Sequence, residues 1–109
     1  MTGFVTITTV DQLPSGERVV AEIEEMYVAV FNVGGNFYAV EDVCTHDEGP
    51  LGEGKIHADE DNPKVECDRH GATFELKTGK PTFPAVVPVA RFPVQVVGDE
   101  VQVNIDEPL

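Results

Sequence analysis

At 109 residues the chain is sized for a single domain with one modest core, and leaves no room for a separate catalytic domain. Seven basic residues against 20 acidic ones give a formal net charge of −13, a surface that repels nucleic acid and anionic membranes and favours basic protein partners. Eight Pro, ten Gly and no Trp read as short strands joined by tight turns, within a composition ordinary for a folded protein.

In chain order, Phe4-Val5-Thr6-Ile7-Thr8 predicts a first strand, followed by a turn around Leu13-Pro14-Ser15-Gly16. Arg18–Ile23 and Met26–Phe31 are rich in β-branched and aromatic residues and predict the next two strands. Gly34-Gly35 is a two-residue turn signal, and Phe37–Val40 returns as the second arm of a hairpin. From Asp42 to Gly54 the chain is polar and carries Gly and Pro with no sustained period, so it reads as a loop. Lys64–Cys67 predicts a short strand running into a second loop at Asp68-Arg69-His70-Gly71, and Phe74-Glu75-Leu76 leads to a turn at Thr78-Gly79-Lys80. A stretch with Pro81, Pro84 and Pro88 follows. Val94–Val97, a Gly98-Asp99 turn and Val101–Ile105 alternate at period two, a hairpin with one wet and one buried face. No segment makes an amphipathic helix, and the expected architecture is all-β. No apolar run is long enough to span a bilayer and the first residues have no secretory pattern, so a soluble, cytoplasmic protein is expected.

Both cysteines and two of the three histidines fall in the two middle loops, as Cys44-Thr45-His46 and Cys67-Asp68-Arg69-His70. Each loop offers one soft thiolate and one imidazole within a tight turn. Three readings compete: two unrelated buried cysteines, a tetrahedral Cys₂His₂ zinc site, and an iron–sulfur cluster. Zinc sites usually bring their pairs as Cys with Cys and His with His, whereas here every pair is mixed. A mixed pair on each loop suits a two-iron cluster, with one residue type sent to each iron.

Cys44-Thr45-His46 with Gly49-Pro50-Leu51, then Cys67-x-x-His70-Gly71-Ala72-x-Phe74 and Thr78-Gly79-Lys80, resembles the Rieske ferredoxin family over essentially the whole chain. The resemblance implies one [2Fe–2S] cluster, with Cys44 and Cys67 on the inner iron and His46 and His70 on the outer. It implies a small antiparallel β-sandwich with a cluster-binding subdomain, one domain over 1–109 with cluster loops at about 42–54 and 66–76. With two thiolates the oxidised centre is neutral, whereas four thiolates leave it doubly negative, so the His ligands ease reduction. The family's high-potential members place Ser and Tyr hydroxyls near the cluster and add a disulfide. Ala72, Phe74 and the lack of further Cys point instead to the low end of the Rieske range, about −150 mV. The resemblance is nearest to the ferredoxin component of ring-hydroxylating dioxygenase systems. It implies a monomeric electron carrier, not an enzyme, that docks transiently to a flavoprotein reductase and a terminal oxygenase; the small subunit of assimilatory nitrite reductase is the alternative. Asp68 departs from the Pro that the family often has there. His57 reads as a solvated loop residue, the 59–63 stretch as a solvated hairpin loop, and Phe83 and Pro84 as candidates for a lid over the cluster.

Overall fold

The computed structural model describes residues 3–45, 49–59, 61–67 and 71–109. Among them are ten strands: β1 (Val5–Thr9), β2 (Arg18–Ile23), β3 (Met26–Val33), β4 (Asn36–Glu41), β5 (Lys55–His57), β6 (Lys64–Glu66), β7 (Thr73–Glu75), β8 (Arg91–Phe92), β9 (Val94–Val97) and β10 (Glu100–Val103). The helical content of the described residues is one 3₁₀ turn at Val10–Gln12, and none of their helices is long and apolar enough to cross a membrane. All pairings are antiparallel and form three sheets, ordered β1-β10-β9, β2-β3-β4-β8 and β5-β6-β7.

The β2-β3-β4-β8 sheet lies between the other two, and the composition of β3 dictates this. Val28 to Val33 are all buried, an uninterrupted run that requires cover on both faces. Alternate side chains go to opposite sides. Val28 and Val30, with Ala39 of β4, join Leu13, Ile23, Phe92, Val101 and Val103 in a core against the first sheet. Ala29, Phe31 and Val33, with Val40 of β4, join Leu51, Val65, Phe74, Leu76, Ala85 and Val89 in a second core against β5-β6-β7. Both cysteines belong to that second core. At roughly 1.5–3 kcal/mol for each fully buried large apolar side chain, Phe31, Leu51 and Phe74 fasten the cysteine-bearing layer to the middle sheet.

The chain departs from the middle sheet after β4 and rejoins it at β8, its immediate neighbour, where Ala39 faces Phe92 and Val40 faces Arg91. The Glu41 N–H donates to the Ala90 carbonyl (2.9 Å), one rung beyond. Pro93 then interrupts the ladder, and β9 continues into the first sheet beside β10.

The expected bounds of β2 and β9 match, and β3 runs two residues further than the pattern predicts. β5 and β8 were not predicted; they are three and two residues long, β5 extended by its hairpin partner β6 and β8 by β4, which is distant in sequence. The predicted Val101–Ile105 strand spans Glu100–Val103 instead.

Glu24 and Glu25 form the two-residue turn between β2 and β3, with φ of 50° and 70°. This left-handed geometry favours Gly or Asn, and a side chain there costs about 1–2 kcal/mol. Glu25→Gly is therefore expected to stabilise the fold by about 1 kcal/mol, a rise of about 4 °C in the thermal midpoint. An unchanged or lower midpoint on thermal melting would contradict the assigned strain.

Candidate metal centre

Each cysteine sits where a strand runs out. Cys44 follows β4 by three residues; its N–H donates to the carbonyl of Gly49 (2.6 Å). Cys67 directly follows β6; its N–H donates to the carbonyl of Ala72 (2.7 Å). Both bonds reach a residue five positions on, so the two loops are closed alike. The first closure brackets His46 and the second brackets His70. The second loop is tightened by the Gly71 N–H donating to the Cys67 carbonyl (3.1 Å), and Gly71 has φ of 77°, a conformation that disfavours a side chain.

Both thiols are fully buried within the one apolar core that also holds Leu51, Val65, Ala72 and Phe74, and neither forms a disulfide. A thiolate in such surroundings needs a cation beside it. Two soft donors brought by matching loops into one dry core fit a metal–sulfur group, whose iron supplies the compensating charge. His46 and His70 lie outside the described residues, as do Asp47, Glu48, Asp68 and Arg69. Among the described residues no three His, Cys, Asp or Glu side chains gather at one point. Ala72 and Phe74 are fully buried and carry no hydroxyl.

The proline-bearing stretch lies against the first loop. The Thr45 hydroxyl donates to the carbonyl of Val87. Ala85 and Val89 point into the core of the two cysteines, and the Thr82 N–H donates to the Thr73 carbonyl of β7 (2.8 Å). Of the two lid candidates, Phe83 is 86% exposed and projects outward together with Val86 and Val87, and Pro84 is half-buried. This apolar display was not foreseen from the acidic composition, because only the fold decides which residues of the stretch point outward.

His57 also differs from expectation. It lies on β5, and its Nε2 is 2.8 Å from Oε1 of Glu66, the residue before Cys67. A cross-strand pair holds it; it is not a solvated loop side chain. The 59–63 stretch does connect the two arms of a hairpin, β5 and β6. Beyond β7, Glu75 accepts hydrogen bonds from the Thr78 hydroxyl (2.7 Å) and the Asn62 amide (3.2 Å), which hold its carboxyl below the usual range and order the turn that leads to the proline stretch.

Residues 3–104 match the Rieske-like [2Fe–2S] domain family. The 3-phenylpropionate/cinnamic acid dioxygenase ferredoxin subunit of Escherichia coli K12 is 39% identical over 99 residues, 90% of each chain. The ferredoxin of carbazole 1,9a-dioxygenase from Nocardioides aromaticivorans IC177 superposes with a TM-score of 0.87 at 34% identity, covering 94% of this chain and 98% of that one. A chain from the complex of reduced oxygenase and oxidised ferredoxin in carbazole 1,9a-dioxygenase matches with a TM-score of 0.84 at 33% identity, covering 93% of this chain and 92% of that one. A Mycobacterium tuberculosis chain named as an NADH-dependent nitrite reductase small subunit has a TM-score of 0.81 at 22% identity, covering 92% of each, a likeness of fold alone. The chain belongs to the Rieske-like [2Fe–2S] family, whose domain holds a single [2Fe–2S] cluster. The zinc reading and the reading of two unrelated cysteines are thereby set aside.

Proposed function

We propose that Cys44 and Cys67 bind one iron of the cluster and His46 and His70 the other, and that the chain is one domain with cluster loops at about 42–54 and 66–76. The observation that carries this is the pair of matching closures, which bring two thiols from distant strands into one dry core. When bound, the cluster supplies a one-electron couple. The protein's part is to hold it, exclude water and set its electrostatics. Leu51, Val65, Phe74, Ala85 and Val89 pack round the thiols and keep the site apolar. Ala72 and Phe74 offer no hydroxyl to the cluster sulfurs, which leaves negative charge concentrated there and supports a potential near the low end of the Rieske range, about −150 mV.

The protein then acts as a cytoplasmic, monomeric electron carrier with no substrate of its own, taking single electrons from a flavoprotein reductase and delivering them to a terminal ring-hydroxylating oxygenase. The dioxygenase ferredoxin relatives support this over the nitrite reductase alternative, where the likeness does not extend beyond fold. The net charge of −13 suits brief, salt-sensitive encounters, and the exposed Phe83, Val86 and Val87 beside the first loop give an apolar contact.

Anaerobically purified protein is expected to show the visible bands and reduced-state EPR signal of a Rieske centre. His46→Ala and His70→Ala should each abolish that signal. A colourless, EPR-silent wild type containing zinc would overturn the cluster, and an unchanged spectrum in either variant would overturn its ligands.

A further inference from the structure

The turn Leu51-Gly52-Glu53-Gly54 is held from both sides by charged side chains, and it touches the supports of both cysteine loops. Asp42, two residues before Cys44, accepts the N–H groups of Leu51 (2.8 Å) and Gly52 (2.5 Å) on a single carboxylate oxygen. Arg18 of β2 donates from one guanidinium nitrogen to the carbonyls of Gly52 (2.8 Å) and Gly54 (2.6 Å), with its guanidinium 6.0 Å from the centre of the Phe31 ring. The Gly54 N–H donates to the Leu51 carbonyl (2.9 Å) and closes the turn.

The two glycines let this turn approach its neighbours without side chains. A Cβ on Gly52 would overlap Val20 of β2 and lie 3.6 Å from Cβ of Ala29 of β3. A Cβ on Gly54 would overlap the backbone carbonyl of Glu66, the residue before Cys67. Leu51 is fully buried in the core that contains both cysteines. One four-residue turn therefore joins the lead-in to Cys44, the middle sheet and the lead-in to Cys67.

We propose that Arg18 and Asp42 are positioning residues that fix the spacing of the two cysteine loops by locking this turn between them. The inference rests on the ligand reading above. Neither side chain is assigned contact with the cluster; each acts through the backbone it holds. A displaced turn would shift Cys44 relative to Cys67 and broaden the set of cluster environments, which a merely structural role elsewhere in the sandwich would not do.

The test uses the cluster-loaded full chain. Arg18→Met keeps the stem over Phe31 and removes both donors, and Asp42→Ala removes the acceptor. Arg18→Lys and Asp42→Asn each keep a polar group in place. The measurements are the reduced-state EPR line shape and the rate at which a chelator bleaches the visible absorbance. Arg18→Met and Asp42→Ala are expected to show shifted or doubled EPR features and to bleach about tenfold faster, the loss expected when a charged group's hydrogen bonds are removed. Arg18→Lys and Asp42→Asn are expected to return most of the wild-type line shape. Should Asp42→Ala fail to load, Arg18→Met, far from the ligands in sequence, carries the test. Wild-type line shape and bleaching in Arg18→Met overturn the proposal, as does a Lys variant no better than Met. A wild type without a Rieske signal overturns the ligand reading instead.

Discussion

Cys67→Ala is expected to lose all visible absorbance and bound iron, and its thermal midpoint should fall to that of metal-free wild type. Cys67 is fully buried where β6 ends, and its backbone is bonded on both sides, to Ala72 and from Gly71. No third thiol can replace it, because the sequence holds two cysteines and the other, Cys44, already lies in the same core. Among the described residues, the apolar walls offer no substitute donor. A group bound to the folded state alone stabilises it by mass action, so losing the group removes that increment as well as the colour. Iron analysis, absorbance and a melting curve on the same sample check the result. A variant that retains the wild-type spectrum would remove Cys67 from the ligand set.

Gly54→Ala is expected to destabilise the fold strongly although it leaves every proposed metal ligand in place. The added methyl group would occupy the position of the Glu66 carbonyl oxygen, and backbone cannot swing aside as a flexible side chain does. Either β5 separates from β6, breaking the Lys55–Glu66 end of that hairpin, or the Leu51–Gly54 turn leaves Arg18. Overpacking of this kind costs roughly 1–3 kcal/mol, and the disturbed ladder places the variant at the upper end of that range. Denaturant unfolding of the loaded protein measures it. A loss below about 0.5 kcal/mol, the range of ordinary surface changes, would show that the hairpin accommodates the methyl group freely.

The parts of the fold legible in the sequence were those whose signal is local. β2 and β9 carry their β-branched pattern within their own bounds, and Gly34-Gly35 marks its turn without outside help. β5 and β8 are too short to show a period, and each is a strand only because β6 or β4 lies beside it. At the site, the mixed Cys–His pairs favoured a two-iron cluster over zinc, and the resemblance of the surrounding motifs pointed to the family. The clamp did not, since Arg18 lies 34 residues from Gly52 and a single Arg in a β-rich segment reads as a solvated edge. The outward facing of Phe83 was not legible for a related reason: a proline-rich stretch has no periodicity from which to infer facing.

The adjacency of β4 and β8 has a consequence for how such a protein can vary. Everything from Asp42 to Ala90 is an excursion that begins and ends at neighbouring rungs of one sheet, about 4.8 Å apart. The outer strands set their register without reference to the length of that excursion, so the metal-bearing layer can lengthen, shorten or change its loops while the frame beneath stays constant. It cannot be dispensed with, because Ala29, Phe31 and Val33 would then face water. The frame thus behaves as a socket with an apolar floor, indifferent to the details of its plug and intolerant of being left open.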